Sequence, residues 1–210
     1  MSSTLEFIAH LDQHLLLLIH DYGFWSYAIL AGIVFGETGL VLLPLLPGDS
    51  LLFVAGAAAA GGAIDLVSLV GVLTLAAVLG NLVNFQVGRW LGPHLFTRPD
   101  SRLLNPAHLA AAHAFYERHG GKTVILARFL PIIRTYAPFV AGLGAMETHH
   151  FLLYTVIGAF AWVSSLTVLG YLFGDIAAIK GNLSLITLAI IVVTVLPSAI
   201  GLARAGRKPG

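Results

Sequence analysis

Four ionisable residues stand in text that is otherwise as apolar as a membrane span: Glu37, Asp49, Arg128 and Arg134. Arginine in hydrocarbon costs from about 3 to more than 10 kcal/mol, so it faces a partner or a cavity. Its planar fork grips phosphate in a bidentate manner, and two forks six residues apart suit an anionic headgroup. A carboxylate at membrane depth can change protonation, since desolvation raises its pKa and a neighbouring arginine lowers it. Together these types imply lipid-phosphate binding at Arg128 and Arg134, with proton uptake at Glu37 or Asp49 releasing an arginine for substrate. A structural alternative is that the four charges lock the fold, because buried ion pairs fix register. Catalysis would need a nucleophile held beside a base. None of the nine histidines falls beside Arg128 or Arg134 in the sequence, so no enzymatic constellation, and no catalytic residue, is expected. His10 and His14 have the i, i+4 spacing of a metal pair but no further ligands nearby, so neither metal nor cofactor is expected.

The elements that must position these charges belong in a bilayer. The chain has 210 residues, 58% hydrophobic and 10% charged, with no cysteine, and a mean hydropathy of +0.90, far from soluble composition. A net charge of +1 offers no basic face for nucleic acid. No Lys or Arg precedes the first apolar stretch, so a removable signal peptide is not expected.

Residues 3–20 read as an interfacial amphipathic helix, with Ser3 and Glu6 at capping-box spacing. Residues 24–64 are apolar but broken by Pro44, Pro47 and Gly48, which predicts a broken or re-entrant hairpin. Residues 66–88 can span. Asn81 and Asn84 lie on this span at i, i+3 spacing, suited to interhelical hydrogen bonding and, alternatively, to substrate contact. Residues 89–122 form a basic loop holding a short helix at 106–119. A second hairpin is expected over 123–147, broken by Pro131 and Pro138, followed by spans at 151–174 and 182–203. The excess of Arg and Lys in the 89–122 loop and in the tail places both on the cytoplasmic side. The whole chain reads as a single all-α membrane domain.

Phe53-Val54-Ala55-Gly56 recurs letter for letter as Phe139-Val140-Ala141-Gly142. Leu46-Pro47 upstream parallels Leu130-Pro131, and each copy precedes one long span. The unit is therefore a broken hairpin plus a span, and the side assignments make the copies inverted, as in transporters. If both hairpin tips converge, Glu37 and Asp49 meet Arg128 and Arg134 in a low-dielectric space.

Phe35-Gly36-Glu37, Pro47-Gly48-Asp49-Ser50, Gly88-Arg89-Trp90-Leu91-Gly92, and Arg128-Phe129-Leu130-Pro131 with Arg134 and Ala141-Gly142 resemble the DedA family of bacterial inner-membrane proteins. That family shares the VTT domain with eukaryotic lipid scramblases, and the resemblance covers roughly residues 24–175. It implies a proton-motive-force-linked transporter of the cytoplasmic membrane, some members returning undecaprenyl phosphate for envelope synthesis. It further implies that Glu37 and Asp49 are the required acids and Arg128 and Arg134 the essential arginines. Asn81, Asn84 and Phe85 depart from it, since many members carry an acid and a tyrosine there. Pro47, Gly48, Ser50, Asn81, Asn84, Arg89, Pro131 and Tyr136 would support the site. The expected partners are a polyprenyl phosphate or phospholipid and protons, with homo-oligomer formation left open. An uncoupled phospholipid scramblase and a charge-locked structural protein are the alternatives.

Overall fold

The computed structural model describes residues 24–39, 48–95, 121–128 and 131–174. Every regular element among them is a helix: α1 Trp25–Gly39, α2 Gly48–Ala60, α3 Leu66–Leu95, α4 Lys122–Ala127, α5 Pro131–Leu143 and α6 Thr148–Phe173. The helices expected at 3–20, 106–119 and 182–203 lie outside the described residues.

Local chemistry sets the ends of these elements. At the close of α2, Gly62 takes φ 76° while Gly61 N–H and Ala63 N–H donate to the carbonyls of Ala57 and Ala58, a glycine stop in the left-handed region. Asp65 then caps α3, its Oδ1 accepting from Ser68 N–H at 2.7 Å. The Ser68 side chain and backbone N–H hold the Asp65 carboxyl below its ordinary value. The sign follows: this cap is present above the usual carboxylate range and is lost as pH falls through the lowered value. Pro131 stands at the first position of α5, where its missing N–H costs nothing.

α4 ends at Ala127 and α5 begins at Pro131, and Pro138 lies inside a continuous α5. The expectation of a break at both prolines is thereby corrected. Pro138 removes the donor to the carbonyl of Arg134, four residues back, without ending the helix.

Only α3 and α6 are long and apolar enough to cross a bilayer among the described residues, and just 39% and 33% of their apolar windows are buried. The core helix of a soluble protein would be mostly covered. Here the uncovered positions are themselves apolar, including Leu75, Leu79, Val83 and Val87 at i, i+4 steps on α3, and Val156, Ile157 and Phe160 on α6. Such faces suit lipid, as in a helical membrane protein.

The chain divides into two compact units, each built from discontinuous segments. The first takes α1 as far as Ile33, α2, α3 as far as Leu73, and α6 from Val163. Its α2 is buried nearly all round, as an apolar helix without an amphipathic face should be. A Cβ on Gly56 would overlap the Thr167 carbonyl, and one on Gly170 would overlap the Phe53 carbonyl. The second unit takes the end of α1, α3 from Thr74, α4, α5, and α6 as far as Trp162. There Phe85 stacks on Phe151 at 4.2 Å, within a core that includes Val124 and Ala141. A Cβ on Gly142 would overlap the Phe85 carbonyl, and one on Gly88 the Phe139 carbonyl.

The repeated tetrapeptide thus makes the same contact twice. In each unit its Phe carbonyl and its Gly meet a partner pair three residues apart, Thr167 with Gly170 or Phe85 with Gly88. Small residues that admit backbone at close range are the usual basis of helix packing in lipid.

Gly56→Ala should therefore lower stability by about 1–3 kcal/mol, because the opposing atoms are backbone and cannot swing aside. Gly32→Ala, which meets nothing within 4 Å, should be neutral or stabilising by up to about 1 kcal/mol. Thermal unfolding of both variants in detergent checks the pair, and equal shifts would contradict the packing account.

Candidate functional site

Glu37 sits in the last turn of α1, 2% exposed. It is brought there by a close crossing of α1 over α3. A Cβ on Gly39 would stand 3.3 Å from Gly80 Cα, and one on Gly80 would collide with Thr38 and the Phe35 carbonyl. Asn84, one turn further along α3, donates through Nδ2 to the carbonyls of Thr38 at 3.3 Å and Thr135 at 2.9 Å. One amide therefore ties the turn carrying Glu37 to the turn carrying Arg134.

Across that tie, Arg134 Nη2 donates to Glu37 Oε1 at 2.5 Å. Arg128 follows α4 in a turn, its N–H donating to the Ile125 carbonyl at 3.2 Å. Its side chain runs past Gly158 of α6, where an added Cβ would stand 3.3 Å from Arg128 Cδ. One turn further along α6 is Trp162, also buried. The guanidinium carbons of Arg134 and Arg128 lie 5.0 and 5.7 Å from its ring centroid. In a desolvated setting each such cation–π contact is worth about 2 kcal/mol.

These groups line a cavity of about 10 Å³ together with Thr38, Asn81 and Thr135, the volume of roughly one water molecule. Arg128 is only 4% exposed, yet its Nε and Nη2 have no hydrogen-bond partner among the described residues. Nε and Nη2 form one straight edge of the guanidinium, the edge that accepts a carboxylate or phosphate in two parallel bonds. Leaving charged donors buried and unmade costs at least about 1–3 kcal/mol each. The arrangement can take up one compact anion, given room.

Of the residues expected at the site, Glu37, Arg128, Arg134 and Asn81 come together, and Asn84 braces them. Asp49, Gly48 and Ser50 are buried in α2 of the first unit. Arg89 is exposed and donates to Thr148 Oγ1 at 2.8 Å, joining α3 to the start of α6. Tyr136 is exposed and does not line the cavity. Pro47 lies outside the described residues. Three lining residues escaped the sequence reading: Thr38, Thr135 and Trp162. A signal existed for Trp162, since tryptophan in spans favours the interfaces and this one falls near mid-helix.

Among the described residues, one group of metal-capable side chains converges, Glu147, His149 and His150, with ligand atoms within 4.8 Å of one another. All three are exposed. Glu147 Oε2 lies 3.4 and 3.1 Å from the two Nδ1 atoms, distances that ordinary imidazole–carboxylate hydrogen bonding accounts for.

A helical membrane protein with a buried guanidinium–carboxylate cavity is the class that fold and site define. The VTT domain family matches residues 23–172. The chain is 52% identical over 202 residues to the protein DedA of Escherichia coli strain K12, covering 95% of this chain and 92% of that protein. It is 42% identical over 181 residues to an uncharacterised membrane protein of Mycobacterium leprae, covering 85% and 81%. Against the inner membrane protein YqjA of Escherichia coli strain K12 the identity is 38% over 151 residues, covering 70% and 67%. No solved structure matches the chain. The chain belongs to the DedA family of membrane proteins.

Replacing Asn84 by Leu should cost about 1–3 kcal/mol, since two buried carbonyls lose their shared donor. Asn84→Asp, which cannot donate when ionised, should lose as much. Unfolding in nanodiscs measures both, and an unchanged midpoint in either would remove Asn84 from its bracing role.

Proposed function

We propose that the protein translocates a polyprenyl phosphate lipid carrier, undecaprenyl phosphate, across the bacterial inner membrane, driven by protons. The observation that carries this reading is the unpartnered Nε and Nη2 edge of Arg128, buried beside the Arg134–Glu37 ion pair. A lock would use up its donors, and this one leaves a bidentate edge over. The phosphate would take that edge first and then compete with Glu37 for Arg134. Protonating Glu37 removes the ionic part of its hold on Arg134 and so favours the anion. Asp49, buried in α2, is assigned as the second proton-carrying carboxylate.

Architecture supports the same assignment. α1 with α2, and α4 with α5, are pairs of helices too short to cross, and we read each pair as a re-entrant hairpin followed by a span. The doubled Phe-Val-Ala-Gly contact fits two copies of this unit. With the basic loop at 89–122 and the tail on the cytoplasmic side, the copies are inverted, the usual frame for alternating access. The inner-membrane location draws on the relative YqjA, an inner membrane protein. Transport rather than catalysis is supported by a cavity that offers anion donors.

Purified protein in liposomes should move undecaprenyl phosphate between leaflets, faster with an inward pH gradient. Arg128→Ala and Arg134→Ala should each slow transport about tenfold or more while the protein still folds. Glu37→Gln should abolish the pH dependence. Equal movement of zwitterionic and anionic lipids without a gradient effect would establish the uncoupled scramblase instead. Full activity in Arg128→Ala and Arg134→Ala together would sink the reading.

A further inference from the structure

Both guanidinium groups of the cavity share one neighbour that is not an anion. We infer that Trp162 is the positioning residue of the anion site: its ring holds Arg128 and Arg134 in place whether or not Glu37 is charged. This rests on the phosphate-binding reading above.

The geometry separates two kinds of partner. Glu37 engages Arg134 through Nη2, the same kind of donor an incoming phosphate needs. The indole of Trp162 meets the two cations at 5.0 and 5.7 Å and attracts charge through its ring rather than by accepting N–H bonds. It can therefore stay in contact while the carboxylate and the ligand exchange. Gly158, one turn away on α6, keeps the path of the Arg128 side chain clear, with an added Cβ only 3.3 Å from its Cδ. α6 thus contributes a bare position and a ring at successive turns, one admitting the arginine and the other facing its charge.

A dependence on pH follows. The charged groups lining the cavity are Glu37 from α1, Arg128 after α4 and Arg134 from α5, while Asn81 of α3, Thr38, Thr135 and Trp162 are neutral. Without the indole, Arg134 leans more heavily on ionised Glu37. The carboxylate then holds its charge to lower pH, and the arginine is released later in an acid titration.

Trp25 and Trp90 are exposed and lie outside the cavity lining. Trp25→Phe with Trp90→Phe therefore leaves Trp162 as the sole fluorescent indole. In detergent without ligand, its emission should change with pH along a single titration that disappears in Glu37→Gln. Soluble dihexanoyl phosphatidic acid should change the emission saturably, and dihexanoyl phosphatidylcholine should not. By calorimetry, Trp162→Leu should bind phosphatidic acid about tenfold more weakly, with its pH midpoint moved down by about one unit. Trp162→Phe, which keeps a ring, should stay within about threefold.

Unchanged affinity and midpoint in Trp162→Leu, with normal binding in the parent, overturns the assignment and spares the proposed function. Absence of phosphatidic acid binding in the parent instead sinks the functional reading. The ligand-free pH arm then decides Trp162 by itself, and an emission indifferent to pH overturns it. Because that arm uses the native ring, it does not depend on the folding of Trp162→Leu.

Discussion

The constraint on which the second unit depends is the burial of two guanidinium charges against one contacting carboxylate. Burying a charge is tolerated when it is paired and hydrogen-bonded, and removing one partner of such a pair costs about 3–5 kcal/mol. Arg134 meets the condition through Glu37. Arg128 meets it incompletely, holding the Trp162 ring on one side while two of its donors have no partner among the described residues. Strain of this kind persists where the surrounding structure over-determines it. The surroundings here do so with glycines: Gly80 lets α1 cross α3, Gly142 and Gly88 seat α5 on α3, and Gly158 admits the Arg128 side chain.

That dependence explains why so few polar atoms position so much. Lipid offers no hydrophobic drive between helices, so close backbone approach and interhelical hydrogen bonds carry the packing. Asn84 supplies the hydrogen bonds, bridging Thr38 and Thr135 from a third helix. Phe85, its neighbour on α3, lends its carbonyl to the Gly142 contact and its ring to the stack on Phe151. A short stretch of α3 therefore sets the separation of the turns that bear Glu37 and Arg134.

Much of this was legible in the sequence because it depends on rare residues in an apolar background. Charges inside apolar runs stand out whatever the fold, and the cost of burial was enough to expect Glu37 and Asp49 to meet Arg128 and Arg134; of that set Glu37 contacts Arg134. The duplicated Phe-Val-Ala-Gly was visible as text, and its meaning as a doubled glycine contact emerges only from the helix crossings. The two asparagines divided between the readings open to them, Asn84 as an interhelical brace and Asn81 as cavity lining, because at i, i+3 spacing their side chains lie about 60° apart around α3. Trp162 stayed hidden. An aromatic residue in a hydrophobic run looks like lipid-facing bulk until the arginines are found against its ring. Pro138 misled in the opposite direction, since a proline inside a membrane helix does not have to end it.

Under the proposed function, charge balance in the cavity would link proton and anion. Two arginines and one ionised carboxylate leave a single excess positive charge among the lining groups, and protonation of Glu37 raises it to two. In a space of about one water's volume with little solvent to screen it, that change is far larger than the same step at a surface. A phosphate monoester carries between one and two negative charges near neutral pH, so the protonated site and the proposed anion would neutralise each other where neither alone does. Linkage would make the proposed relation reciprocal: by whatever factor a proton on Glu37 strengthened anion binding, the anion would strengthen proton binding. Under the proposed function, the ion-paired arrangement would be the unloaded member of the cycle.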